Sequence, residues 1–163
     1  MTEQILEVEE SATACAEGRA KPFHRILVVE DDSAVRLVST TVLIRFGYRA
    51  DAAEDGATGW KALQARRYDL LITDNNMPKL SGIDLVKMLR AQDMTLPVIM
   101  ATGVAPTREL DRNPQLNIAA ILLKPFTTGE LLETVRKTLR VNGGAQEQIE
   151  PGSEWRSQLP DNY

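Results

Sequence analysis

Tyr68-Asp-Leu-Leu-Ile-Thr-Asp-Asn-Asn-Met-Pro-Lys79 is an apolar run that ends abruptly in an acid and passes into a polar, proline-containing turn. Its centre, Leu70-Leu71-Ile72, is continuously apolar, as a strand buried on both faces must be. In an open parallel α/β sheet, ligands and chemistry sit just beyond the carboxyl ends of the strands. Asp74 stands at that point. Taken alone, the stretch leaves two readings of Asp74 open. It caps a strand or starts a turn, or it is a nucleophile or metal ligand.

Moving outward from this strand, the same pattern recurs upstream in Arg25-Ile-Leu-Val-Val-Glu30, which closes in three acids, Glu30, Asp31 and Asp32. A helix follows at once. Asp32 or Ser33 can cap it, Val35, Leu37, Val38, Val42 and Leu43 are its expected apolar face, and Gly47 lies where a helix commonly stops. Tyr48-Arg-Ala-Asp-Ala-Ala53 reads as a weaker strand, and residues 57–66 as a helix carrying Trp60 and Leu63 after the turn Glu54-Asp-Gly56.

Downstream, Ile83, Leu85, Val86, Met88 and Leu89 mark a third helix, and Pro97-Val-Ile-Met-Ala-Thr102 a fourth strand. Residues 107–112 predict a short, poor helix, because Pro114 disfavours helical geometry at Asn113, and Asn117 suits a left-handed stop. Ala119-Ala-Ile-Leu-Leu-Lys124 is a fifth strand, and its Lys124-Pro125 pair points to a locked peptide, cis included, that aims the lysine. The last helix opens with capping-box spacing from Thr127 to Glu130, and Leu131, Leu132, Val135 and Leu139 form its stripe.

Five strands alternating with helices imply a parallel sheet with right-handed crossovers, and order 2-1-3-4-5 is the common solution. The expected fold is therefore a flavodoxin-like, doubly wound (βα)5 sheet over residues 23–141. Residues 1–22 are expected to be a flexible, acidic extension with a short helical piece near Ile5, and residues 142–163 a flexible tail. That order brings Glu30, Asp31 and Asp74 into one crevice, which favours the chemical reading of Asp74.

Carboxylates so close repel one another unless a cation compensates, and Mg2+ binds through one or two carboxylates while sharing its shell with phosphate oxygens. The Asn76 carbonyl could complete such a shell, while the Thr102 hydroxyl and Lys124 ammonium end neighbouring strands. An acid nucleophile, a metal, a lysine and a hydroxyl together suit phosphoryl transfer.

The composition agrees. With 163 residues, 43% hydrophobic and 26% charged, the chain can bury one core without staples. Its single cysteine, Cys15, makes no internal disulfide and is expected to be an inert thiol, and a cytoplasmic setting is expected. No apolar run approaches a membrane span, and the net charge of -4 argues against a nucleic-acid surface. His24, without acidic company in the sequence, reads as a surface residue. Met77, Met88, Met94 and Met100 read as packing residues, Trp60 as half-buried, and Trp155 as an exposed aromatic in the tail that could anchor a partner.

Leu27-Val-Val-Glu-Asp-Asp-Ser33, Thr73-Asp-Asn-Asn-Met-Pro78 with Gly82, Met100-Ala-Thr-Gly103 and Leu123-Lys-Pro-Phe126 together resemble the receiver domain of bacterial two-component response regulators, of the stand-alone chemotaxis type. The resemblance covers residues 23–141. It implies that Asp74 is phosphorylated by a histidine kinase or a histidine phosphotransfer protein. It further implies that Asp31 binds Mg2+ directly, that Glu30 acts through water, and that Asn76 offers its backbone carbonyl. Lys124 would contact the phosphoryl group and Thr102 would shift toward it. The usual output surface is the face of the fourth helix, fifth strand and fifth helix. Ile121 departs from the pattern, standing where an aromatic that rotates with the threonine is common.

Two other outcomes stay open beside a switch acting on an unknown protein partner: a receiver that serves as phosphate sink or relay intermediate, and an aspartate-nucleophile phosphohydrolase of the haloacid dehalogenase type. The latter needs a second acid two residues after the nucleophile, and here that position is Asn76, an amide that cannot act as general acid. A flavin site fits less well, because the crevice loops carry acids and no phosphate cradle. With no helix-turn-helix pattern after Val141, output through direct DNA binding is not expected.

Overall fold

Every residue of β1 (Arg25–Val29) after Arg25 is buried, as is every residue of β3 (Leu70–Thr73) and β4 (Val98–Thr102). Strands apolar on both faces demand a helical layer on each side, and the computed structural model, which describes residues 23–142, has that arrangement. With β2 (Arg49–Ala53) and β5 (Ala120–Leu123) they form one parallel sheet in the order β2-β1-β3-β4-β5. The expected doubly wound topology holds.

Alternate strand residues feed two cores, as the two-residue period of a strand requires. Leu27, Val29, Leu71, Val98 and Met100 pack with Leu63 of α2 (Gly56–Ala65) and with Ile83, Val86 and Leu89 of α3 (Gly82–Ala91). Ile26, Val28, Ile72, Ile99 and Leu122 pack with Leu43 of α1 (Ser33–Arg45) and with Leu131, Val135 and Leu139 of α5 (Thr128–Asn142). Met77 and Met100 are buried, Met88 and Met94 are half-buried, and Trp60 packs half-buried against the first core.

Capping sets the helix starts. Asp32, not Ser33, caps α1 by accepting from the N–H groups of Ala34 and Val35, and Asp55 caps α2 one residue earlier than its sequence pattern implied. Before α5, Thr127 Oγ1 accepts from Glu130 N at 3.2 Å, and Glu130 Oε2 accepts from Thr127 N at 2.7 Å, closing the expected box. The Lys124–Pro125 bond is cis, and Asn117 adopts φ 47°. α4 (Thr107–Arg112) is as short as expected, buries no residue, and leads into a single 3-10 turn at Pro114–Leu116.

α1 is not oriented as its sequence suggested. Its buried residues are Ser39, Thr40 and Leu43, whereas Leu37 and Val38 are 67% and 55% exposed. Apolar residues surround this helix, so periodicity could not choose a face. The small Ser39 and Thr40 allow close approach, and Thr40 Oγ1 satisfies itself on the Arg36 carbonyl at 2.8 Å. His24 also differs from expectation: the fold brings the Asp69 carboxylate to 3.8 Å from its Nδ1. The expected extension, its helical piece, Cys15, Trp155 and the tail lie outside the described residues.

Candidate functional site

β1 and β3 are neighbours with Val29 level with Thr73, so the residues that follow them, Glu30 and Asp74, emerge side by side. The sheet ladder extends one step past the strands: Asp74 N donates to Val29 O at 3.0 Å and Glu30 N to Ala53 O at 3.1 Å. The two acids are therefore placed by backbone. Their side chains are buried, at 3% for Glu30 and 6% for Asp74, while Asp31 is exposed at the rim. One carboxylate oxygen from each of Glu30, Asp31 and Asp74 lies within 4.8 Å of the others.

Lys124 leaves the end of β5 and crosses the end of β4 to reach them. Its Nζ donates to Glu30 Oε2 at 2.6 Å and to Asp74 Oδ2 at 3.0 Å. Lys124 N donates to Thr102 O at 2.9 Å, which fixes the strand end that aims the side chain. Burial pushes the Glu30 carboxyl above its ordinary range, more strongly than Lys124 draws it down. Burial also pulls the Lys124 ammonium down, but its bonds to Glu30 and Asp74 outweigh this and hold it above the ordinary lysine value. Lys124 thus remains a cation between two acids.

The turn after β3 presents Asp74. Asn76 N donates to Asp74 Oδ1 at 3.0 Å, so both carboxylate oxygens of Asp74 are held. Asn75 Oδ1 accepts from Ile83 N at 3.1 Å and the Asn75 carbonyl accepts from Gly82 N at 3.2 Å, which pins the turn to the start of α3. Gly82 has no substitute here, because a Cβ would run into the carbonyl of Asp74.

Of the residues expected at the site, the fold joins Glu30, Asp31, Asp74 and Lys124, with Asn76 beside them. Thr102 ends the neighbouring strand and meets Lys124 only through backbone: its side chain is fully buried and its Oγ1 donates to Val104 O at 3.2 Å. Asp32 is committed to capping α1.

Arg36 was not foreseen. Its guanidinium donates to the carbonyls of Glu30, at 2.6 Å, and Asp31, at 3.1 Å, clamping the acidic loop from the first turns of α1. A base a few residues into a helix that follows clustered acids is the signal that could have found it.

This arrangement offers a cluster of hard oxygen donors, a pre-placed ammonium, and a carboxylate facing the crevice. The family model for the response regulator receiver domain matches residues 26–136. The chain is 37% identical over 123 residues to the chemotaxis protein CheY of Pseudomonas aeruginosa, covering 73% of this chain and 99% of that one. It is 34% identical over 116 residues to the probable transcriptional regulatory protein SilR of Salmonella typhimurium, covering 71% of this chain but only 51% of that one. Among solved structures, the chemotaxis response regulator CheY4 of Vibrio cholerae superposes with a TM-score of 0.66 at 28% identity, over 71% of this chain and 98% of that one.

Proposed function

Because this chain belongs to the response regulator receiver family, we propose that Asp74 accepts a phosphoryl group from a phosphohistidine of a histidine kinase or a histidine phosphotransfer protein. The observation that carries this reading is the buried Asp74 carboxylate held between Lys124 Nζ and Asn76 N at the end of β3. An Asp74 oxygen attacks phosphorus, the P–N bond breaks, and its electron pair returns to the imidazole. Lys124, already a cation, transfers one of its contacts from the acids to a phosphoryl oxygen. Thr102 exchanges its bond to Val104 O for the phosphoryl group and so reports the modification.

Three clustered carboxylates, of which Lys124 pairs with two, suit a hard divalent cation, and Asp31, Asp74 and the Asn76 carbonyl would hold Mg2+ with Glu30 in support. Bound there, Mg2+ neutralises charge between the carboxylates and the phosphoryl oxygens. Water returning to the phosphoaspartate resets the switch. The Asn76 amide is too weak an acid to protonate a leaving alcohol, so the proposal does not extend to turnover of small phosphoesters.

Output passes to a protein partner at the face of α4, β5 and α5, in a reducing, cytoplasmic setting. Phosphate passage along a relay is the second outcome; the two share the chemistry at Asp74. Among the described residues no helix is long and apolar enough to cross a membrane.

Intact mass tests the chemistry. After incubation with Mg2+ and acetyl phosphate, the wild type gains one phosphoryl group of about 80 Da, and Asp74→Asn gains none. The same adduct on Asp74→Asn, or no adduct on wild type from acetyl phosphate and from a phosphorylated phosphotransfer protein alike, overturns the assignment.

A further inference from the structure

β5 is the edge strand of the sheet, and its alternation leaves it half-covered. Leu122 is buried in the core that it shares with α5, whereas Ile121 and Leu123, on the opposite face, are 38% and 54% exposed. α4 would be the cover for that face, but it buries none of its residues. Beside this edge runs a groove toward the C-terminal turns of α5, with Ile118, Ile121 and Val141 as its apolar part and Arg90, Thr134 and Lys137 as its polar part. Val141 is 82% exposed, an unusual state for a valine beside an apolar groove.

Arg90 adds a charge argument. Its guanidinium donates to the carbonyls of Leu116, Met94, Leu96 and Asn117 at 2.6–3.2 Å, and among the described residues no carboxylate pairs with it. Four carbonyl dipoles orient this cation without neutralising it. Among the described residues Lys137 is paired only with Glu133, in an exposed i,i+4 bridge weak enough to exchange. The groove therefore carries both apolar side chains and two cations in its lining, Lys137 standing one turn from Val141 on α5.

The chain itself supplies a matching occupant. Asn142, the last described residue, lines the groove, and Gly143-Gly144 follows, a pair that allows the backbone to reverse. Beyond it, residues 145–163 carry Ile149, Trp155 and Leu159, and four acids (Glu147, Glu150, Glu154 and Asp161) against the single base Arg156. Twelve residues separate Asn142 from Trp155, a reach of up to ~40 Å, against a length of ~22 Å for all of α5. Apolar side chains, opposite charge, sufficient reach and departure from the groove's own lip coincide in this one segment.

We propose that the groove between β5 and α5 is occupied by the chain's own residues 145–163, with Trp155 against Ile121 and Val141 and the acids facing Arg90 and Lys137. If that face is the output surface, a reading taken from the function proposed above, the segment is a built-in competitor of the partner. Its seating on the groove does not depend on phosphorylation.

The test uses the full chain with Trp60→Phe, which leaves Trp155 as the sole tryptophan. Its emission is expected to be blue-shifted and shielded from acrylamide at every protein concentration. Adding Lys137→Glu and Val141→Asp, both at exposed positions, should release it, with a red shift and loss of most of the shielding. Because Trp60→Phe alters a core contact, the second measurement leaves Trp60 intact: in the 15N-labelled full chain, Trp155→Ala should move the amide signals of residues 118–121 and 134–142. Free emission, shielding that the groove substitutions leave untouched, or amide signals that stay in place would overturn the assignment. Shielding that grows with protein concentration would overturn it too, giving the groove to a second copy.

Discussion

Arg36 binds no carboxylate in the crevice, yet it decides where two of them stand. By donating to the carbonyls of Glu30 and Asp31 it ties the acidic loop to α1, and its charge sits behind the acids without quenching them. Arg36→Met leaves two carbonyls short of a donor and should cost about 1.5 kcal/mol in urea unfolding. It should also weaken Mg2+ binding in a fluorescence titration while leaving the Asp74 adduct obtainable at high Mg2+. Arg36→Lys should recover only part of the loss, since an ammonium is more strongly hydrated and its flexible stem less pre-organised than the planar guanidinium. Equal Mg2+ affinity in wild type and Arg36→Met would show that the loop needs no clamp.

At the scale of elements, much was legible. Asp74, Glu30 and Lys124 could be found because each closes an apolar run, and a buried parallel strand advertises its own end. Capping at Thr127 and Glu130 was readable because both halves of the device lie three residues apart. The face of α1 was not, since Val35, Leu37, Val38, Val42, Leu43 and Ile44 surround the helix and only packing against β2 and α5 selects Leu43. Nor could sequence pair His24 with Asp69, or Tyr68 with Asp51, contacts made by the sheet between distant residues.

Tyr68 gives an element-level test in pH. Burial, and then its hydrogen bond to Asp51 at 2.9 Å, raises the phenol from 10.0 to about 12. A group raised in the folded state contributes stability that is complete below its unfolded value and is lost as pH climbs through its folded one. The link between β3 and β2 should therefore weaken between pH 10 and about 12. Tyr68→Phe should flatten that part of the stability profile, at a cost of about 1 kcal/mol at neutral pH. A profile unchanged by the substitution would mean that another group titrates there.

For the whole molecule, three acids and one ammonium at the end of the sheet are a local excess of negative charge that folding must tolerate. A cation bound only by the folded crevice stabilises the entire domain by mass action. Mg2+ at about a hundred times its dissociation constant should add about 2.7 kcal/mol, which is read as a rise of several degrees in Tm. Asp31→Asn should lose most of that rise and keep its fold, because Asp31 is exposed and caps nothing. A Tm indifferent to Mg2+ in the wild type would remove the cation from the account.

α4 has a bearing on how the molecule breathes. A helix of six residues without one fully buried side chain, and with only the half-buried Leu110 packed against the core, has little besides its own backbone bonds to keep it closed. Its amide hydrogens should trade with deuterium far faster than those of β4, which is buried throughout, and at a rate insensitive to global destabilisation by mild urea. Protection in α4 equal to that of β4 would contradict this. This part of the rim can thus dissolve and re-form many times within a single lifetime of the native core, so its outline answers to whatever lies against it.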